Sequence, residues 1–356
     1  MRINSIDAVR GLTVAAMLLV NNAGDWSHIY PWFEHAHWHG CTPADFIFPT
    51  FLLIVGVSLQ LALGRQLDAD AGPLARHALA RTVLLRGARI FLLGLALNLI
   101  STLLMDGRPF RLLGVLQRIG LCFAVAGLLA IYVRGARAQW AIGVAILFGY
   151  WGLLAAGGSL EPNLNLADRI DTALLGPLSY QYDAATGLAH EPEGILSTLP
   201  SMATVILGLR TGAWLRAGRI RQIAIGGVVA LAAGAVWSLP LPLNKQLWTP
   251  SFVLWTGGFG MLAIALAYQL VDVRGWPALG RAMGINAIAA YAGSWIAICL
   301  LAYSGVLAPL YRQAFATPIT PLLGPAAASL AFAACFTAVF WLAAVYAEKR
   351  GWRITI

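Results

Sequence analysis

An all-α, polytopic transmembrane helical bundle is the fold this sequence predicts. Three observations carry that expectation. Of the 356 residues, 59% are apolar and 11% charged, against about 25% charged in soluble domains. The mean hydropathy is +0.74. The apolar residues are gathered into runs of roughly 20, the length that crosses a bilayer core as a helix.

Ten such runs lie near residues 6–24, 45–64, 83–104, 112–133, 137–157, 196–215, 221–240, 250–272, 281–303 and 322–347. The first is the weakest, because Asp7 and Arg10 interrupt it. No small-residue cleavage site follows it, so it is expected to be a retained span and not a signal peptide. Residues 304–320 carry Pro309, Arg312 and Pro318 and are expected to form an interfacial loop. No internal repeat is visible, so an inverted-repeat transporter has no support. The whole chain, 1–356, is expected to be one integral membrane domain.

Basic residues decide which helix ends face the cytoplasm. Arg2, Arg10, Arg65, Arg76, Arg81, Arg86, Arg89, Arg134, Arg137, Arg210, Arg216, Arg219, Arg221, Arg274, Arg281, Lys349, Arg350 and Arg353 fall on one side of the alternation. Arg108, Arg111, Arg169, Lys245 and Arg312 fall on the other, and Arg118 lies inside a span. Both termini are therefore expected in the cytoplasm, with 25–44, 105–111, 158–195, 241–249 and 304–321 facing outward. The 158–195 segment is long, acidic and rich in Gly, Pro and Asn; it is expected to be an outward cap with little regular structure. A pI near 9.8 does not indicate nucleic acid here, because the cations are spread between apolar runs. The four cysteines show no CxxC spacing, so neither a disulfide framework nor a zinc site follows.

The first outward loop concentrates the chemistry. His28, His35, His37 and His39 are four of the six histidines, interleaved with Trp26, Tyr30, Trp32, Phe33 and Trp38. Imidazole is the usual general base near neutral pH. A His-rich tract also suits a metal, but the alternation at 35, 37 and 39 resembles a strand more than a metal-binding helix, and no metal is assigned. The aromatics fit interfacial anchors or a surface for a sugar ring. Thr42-Pro43-Ala44-Asp45 is a helix-start signal, and Asp45 also stands beside the His tract. Arg118, costly inside a membrane, needs a partner or a route to the surface, and Asp45 is the expected partner. Asn21, Asn22, Asn98 and Asn286 lie in or at the ends of spans; Asn244, Lys245, Trp248 and Thr249 form a polar and aromatic patch in an outward loop. Together they suggest a polar cavity between helices. Arg86 and Arg89, a turn apart at the inner end of span three, suit a phosphate or the ordinary bias of inner loops.

Several of these pieces match one family. Arg2-x-x-Ser5-Ile6-Asp7-x-x-Arg10-Gly11-Leu12-Thr13, Val20-Asn21, and His35-Ala36-His37-Trp38-His39-Gly40-x-Thr42-x-Ala44-Asp45-Phe46-Ile47-Phe48-Pro49 come first. Gly114-Val115-Leu116-Gln117-Arg118 and Gly194-Ile195-Leu196-Ser197-Thr198-Leu199-Pro200 follow. Asn244-Lys245-x-x-Trp248-Thr249-x-Ser251-Phe252 and Gly284-x-Asn286-Ala287-Ile288 complete the set. The sequence resembles the heparan-α-glucosaminide N-acetyltransferase family and its bacterial relatives, from residue 2 to about 295.

The resemblance implies acetyl transfer from cytosolic acetyl-CoA, as co-substrate, across the bilayer to the amine of a terminal glucosamine or related glycan acceptor. It places the active-site histidine at His35 and a neighbouring asparagine at Asn21. His37 is not implied by the motif, and His39 stands where the human-type pattern has Asn. The expected setting is the cytoplasmic membrane of a bacterium, with the His35 loop facing the periplasm, and a homodimer is suggested by the resemblance alone. In this reading His35 is the base or an acetyl carrier, Asn21 steadies the thioester oxygen, and Asp45 supports them. Arg10, Arg86, Arg89, Arg118 and Asn286 would hold the donor. Trp38, His39, Asn244, Lys245 and Trp248 would hold the acceptor. A transporter or exporter without acyl chemistry is the alternative.

Overall fold

The computed structural model describes residues 3–68 and 72–354; Arg2, an expected inner-side cation, lies outside them. The elements run α1 (Asn4–Asn21), α2 (Ile47–Asp68), α3 (Pro73–Leu104), α4 (Val115–Tyr132), α5 (Ala136–Ala156), α6 (Leu166–Leu174), β1 (Gln181–Asp183) and β2 (Leu188–His190). They continue α7 (Thr198–Arg216), α8 (Ile220–Trp237), α9 (Pro250–Ala267), α10 (Arg281–Ile285), α11 (Ala287–Tyr303), α12 (Leu307–Tyr311), α13 (Thr317–Leu323) and α14 (Pro325–Lys349). The chain is an all-α polytopic helical protein, and the only described sheet is the small β1–β2 hairpin.

Each of the ten expected spans contains a helix. Among the described residues, seven stretches are long and apolar enough to cross a membrane: Pro43–Gly64, Pro73–Leu104, Val115–Tyr132, Ala136–Ala156, Ile220–Trp237, Pro250–Val273 and Pro325–Lys349. An eighth passes only if α11 is taken with the α12–α13 arm, from which it is bent by 98°. The two others, α1 and α7, fall short because they carry Asp7, Arg10, Thr198, Ser201, Arg210 and Thr211. More than half of the residues in each are buried. Helices wrapped by other helices meet little lipid and tolerate polar groups. Helices α3, α5 and α8 instead bury less than a third of their spanning length.

Three expectations are corrected. Residues 304–320 are not a loop: α12, a π turn at Arg312–Ala316 and α13 make a helical arm. The 158–195 segment has more regular structure than expected, with α6 and the β1–β2 hairpin. The ninth span is broken at Asn286, between α10 and α11.

Close helix crossings rest on glycine. A Cβ on Gly56 would lie 2.1 Å from the Val205 carbonyl, and one on Gly208 would lie 2.1 Å from the Leu53 carbonyl, so α2 and α7 pack backbone to backbone. At the other end, the amides of Asn4 and Ser5 that open α1 donate to the Asp272 carboxylate at 3.0 and 3.1 Å. This capping from a distant residue satisfies donors with no intrahelical partner. The loops expected outward meet one another. The Gly40 amide donates to Leu243 O (2.7 Å), the Trp38 indole to Leu160 O (2.9 Å), and the Leu112 amide to Leu178 O (2.9 Å). The start of α1, the end of α9 and the C-terminal tail gather at the opposite end.

Candidate active site

The turn at Pro43–Phe46 begins as the Thr42–Asp45 spacing predicts. Asp45 Oδ2 accepts from the Thr42 amide (2.9 Å), the Thr42 hydroxyl (3.1 Å) and the Ala36 amide (3.1 Å). The residue is fully buried. Its other oxygen, Oδ1, lies 2.8 Å from His35 Nδ1. Lys245, on the loop between α8 and α9, brings Nζ to 3.0 Å from the same His35 nitrogen and 3.6 Å from Asp45 Oδ1. Nδ1 thus faces both the carboxylate and the ammonium; with its proton on Nδ1 toward Asp45, the His35 Nε2 lone pair is available. The His35 side chain is 39% exposed. A half-exposed imidazole backed by a buried carboxylate has the geometry of a general base. Burial pushes the Lys245 ammonium below its usual pKa, while Asp45 and Glu193 act in the opposite direction.

Asn244, buried, brings Nδ2 within 3.3 Å of His39 Nδ1, and its Oδ1 accepts from the Leu247 amide at 2.8 Å. Trp248 is buried below this loop at φ +53, donates from Nε1 to Thr204 Oγ1 (3.1 Å), and packs on Phe48 and Phe252. Arg118 lies under that indole, 5.1 Å from the ring centre. Its Nη2 donates to Pro192 O (2.9 Å) and Ser197 Oγ (2.5 Å), while Nε and Nη1 are buried with no hydrogen-bond partner among the described residues. The expected Asp45–Arg118 pair is therefore not formed. The cation that meets Asp45 is Lys245, and Arg118 is held by the cap and the start of α7.

The cap adds a second layer. Arg111 binds Glu191 from Nε at 3.0 Å, contacts Glu191 again and also Glu193 through Nη2, and lies 4.7 Å from the Tyr180 ring centre. Burial pushes the Glu193 carboxyl up, but the Arg111, Arg118 and Lys245 cations hold it below its usual value. Gly194 has no room for a side chain, since a Cβ would lie 1.9 Å from Asp171 Oδ2. Cys41, beside the His tract, is a poor nucleophile: burial pushes its thiol up to about 12.

The remaining expected residues are dispersed. Asn21 is the last residue of α1, half-buried, and its side chain makes no hydrogen bond to a described residue; its neighbour Asn22 bonds back to Leu18 O at 2.8 Å. Arg10 is engaged at the opposite end, with Asp7 Oδ1 (3.0 Å), Gly284 O (3.1 Å) and Ser58 Oγ (2.7 Å). Asn286 clasps the C-terminal tail, accepting from the Ile354 amide (2.8 Å) and donating to Trp352 O (3.3 Å). Both groups hold helices and tail together at that end. Arg86 and Arg89 are exposed on α3, and Arg86 lies 5.4 Å from the Phe123 ring centre. Among the described residues no group of three or more His, Cys, Asp or Glu is placed to hold a metal ion. Sequence reasoning passed over Glu191, Glu193, Asp168 and His190 as individual residues; the signal available was the acidity of the cap.

The family model for the catalytic region of heparan-alpha-glucosaminide N-acetyltransferase matches residues 2–241, which include His35, Asp45 and Arg118 but not Lys245. The heparan-alpha-glucosaminide N-acetyltransferase of Homo sapiens is 27% identical over 354 residues, covering 82% of this chain and 52% of the human protein. That of Mus musculus is 27% identical over 353 residues, covering 82% of this chain and 53% of its own. The chain thus spans about half the length of these relatives. With the family model extending from α1 into the loop that carries Lys245's neighbours, the chain belongs to the heparan-alpha-glucosaminide N-acetyltransferase catalytic family.

Proposed function

We propose that this protein transfers an acetyl group from cytosolic acetyl-CoA to the amine of a terminal glucosamine, or a related amino sugar, on the far side of a bacterial cytoplasmic membrane. The contact between exposed His35 and buried Asp45, flanked by Lys245, carries this reading. The acceptor amine attacks the thioester carbonyl as His35 Nε2 takes its proton. The N–C bond forms, the C–S bond breaks, and the proton passes to the departing thiolate. Asp45 keeps the imidazole in the useful tautomer and steadies its cation. General-base help of this kind is worth about 10²–10⁴ in rate. The Asn21 amide is the donor proposed for the thioester oxygen, an oxyanion role. Arg86 and Arg89 are proposed to meet the charged nucleotide, and the unpartnered nitrogens of Arg118 to meet a polar group of the donor.

The test is turnover of labelled acetyl-CoA by purified protein against a panel of amino sugars. His35→Ala should lower the rate by at least about 10²-fold while the protein remains monodisperse in detergent. Undiminished transfer by that variant would remove His35 from the mechanism. Incubation without acceptor separates direct transfer from an acetyl-histidine route, because only the latter leaves label on the protein.

A further inference from the structure

The cap carries a second histidine built like the first. His190, at the end of β2, places Nδ1 2.7 Å from Asp168 Oδ1. Asp168 is buried, and its other oxygen accepts from the Asn163 amide and Asn165 Nδ2, both at 2.7 Å. The carboxylate is thus fixed before it meets the ring, and it orients the imidazole as Asp45 orients His35. Among the described residues, the remaining nitrogen, Nε2, has one hydrogen-bond partner, Gln246 Oε1 at 3.5 Å. A contact that long is weak, and an oxygen of a ligand can replace it.

Three observations place this pair at the proposed acceptor site. Gln246 follows Lys245, so the two His–Asp pairs contact neighbouring residues of one loop. Trp38 stands between the tract of His35 and the cap; its ring is edge-on to His190 at 5.5 Å and to His39 at 6.2 Å. Its indole N–H is held by Leu160 O, so the ring is a fixed wall. A rigid aromatic with a few oriented polar groups is how a cleft fixes the orientation of a small polar ligand. Burial pushes the His190 pKa down, but Asp168, with Gln246 and Glu191, raises it overall, which favours a ring that donates from both nitrogens.

We propose that His190, set by Asp168 and standing beside Trp38, is an acceptor-contacting residue whose Nε2–H donates to a hydroxyl or ring oxygen of the amino sugar. This rests on the acetyl-transfer reading and names a specificity determinant within it. The two amide replacements separate binding from folding. Asn places its nitrogen near the position of Nδ1, keeping the bond to Asp168 while deleting Nε2. Gln places its nitrogen near Nε2.

The experiment is steady-state kinetics with glucosamine varied at saturating acetyl-CoA, together with direct glucosamine binding by tryptophan fluorescence without donor. His190→Asn should raise the glucosamine KM and the binding constant about three- to tenfold, the loss of about one hydrogen bond. The acetyl-CoA KM, kcat and melting temperature should stay near those of the parent, and His190→Gln should recover part of the affinity. Unchanged glucosamine affinity in His190→Asn overturns the proposal, as does a fall in kcat with KM unaltered. Parent protein that binds glucosamine but never transfers acetyl would retain the subsite and sink the transfer reading. Parent protein that transfers acetyl to a sugar with no dependence on His190 would do the reverse.

Discussion

Asp45 divides its work between two oxygens. Oδ2 closes the turn that starts α2, and Oδ1 faces His35 and Lys245. Asp45→Asn keeps an oxygen for the turn and points an N–H₂ at His35 Nδ1. That amide donates where the carboxylate accepted, so the ring proton moves to Nε2 and the base is lost. We expect kcat to fall by about 10²–10⁴ with the fold intact. Acetyl-transfer rates beside circular dichroism check this, and a variant with near-parental kcat would show that the tautomer is irrelevant. The helix-start reading and the site reading of Asp45 were both legible in the sequence, because Thr42 and His35 lie within ten residues of it. Lys245 was legible as an outward polar residue but not as a neighbour of His35, 210 positions away. Nothing local encodes that distance. Arg118 was misassigned for the same reason: its partners come from the cap, where chain reversals cannot be read from hydropathy.

Among the elements, the helices were legible wherever lipid imposes apolarity, and the details that depend on packing were not. The arm α12–α13 was hidden by Pro309 and Pro318. Pro309 falls in the first turn of α12, where the missing N–H has no intrahelical partner in any case, and Pro318 directly follows the π turn at Arg312–Ala316. The α2–α7 crossing gives a direct test. Gly208→Val should prevent the backbones from meeting and abolish monodisperse protein on size exclusion in detergent. Gly149→Ala on α5, where a Cβ meets nothing within 4 Å, should be neutral or stabilise by about 0.5–1 kcal/mol. Equal behaviour of the two variants would disconnect the crossing from stability. In the cap, burial first, then Glu191 and Asp168, push the Asp171 carboxyl from 3.8 up to about 6. Folding therefore takes up a proton between those values, and this residue's contribution to stability falls as pH rises through the interval. Asp171→Asn removes the ionisation and keeps an acceptor for the Ile195 amide. Thermal unfolding should show the parent losing more stability than this variant between about pH 4 and about 6.5; parallel curves would refute it.

At the scale of the molecule, one end gathers the loops at 25–44, 105–114, 158–195 and 241–249, and the other gathers the start of α1, the end of α9 and the tail. Charge alternation alone had sorted the same segments into two sets, which is why this division was legible without any contact information. The proposal that the loop end faces away from the cytoplasm is tested by cysteine labelling in a cysteine-free background. Thr186→Cys on the cap should react with an impermeant maleimide on intact cells, and Ala217→Cys between α7 and α8 only after permeabilisation. Labelling in the reverse order would invert the topology and, with it, the route of the acetyl group.

The contact of Lys245 with His35 and Asp45 also bears on how the protein is made. His35 and Asp45 emerge from the ribosome early, and the residue between which they are clamped follows some 200 positions later, after α3, α4, α5, α7 and α8 have been threaded into the bilayer. During that interval the Asp45 carboxylate has His35 but no lysine. A nascent chain stalled before Lys245 would already display the full histidine tract and the cap residue that holds Trp38, yet it would lack the lysine that meets His35 and Asp45. Competence should therefore appear abruptly in biogenesis, with the arrival of a single loop, and not accumulate span by span.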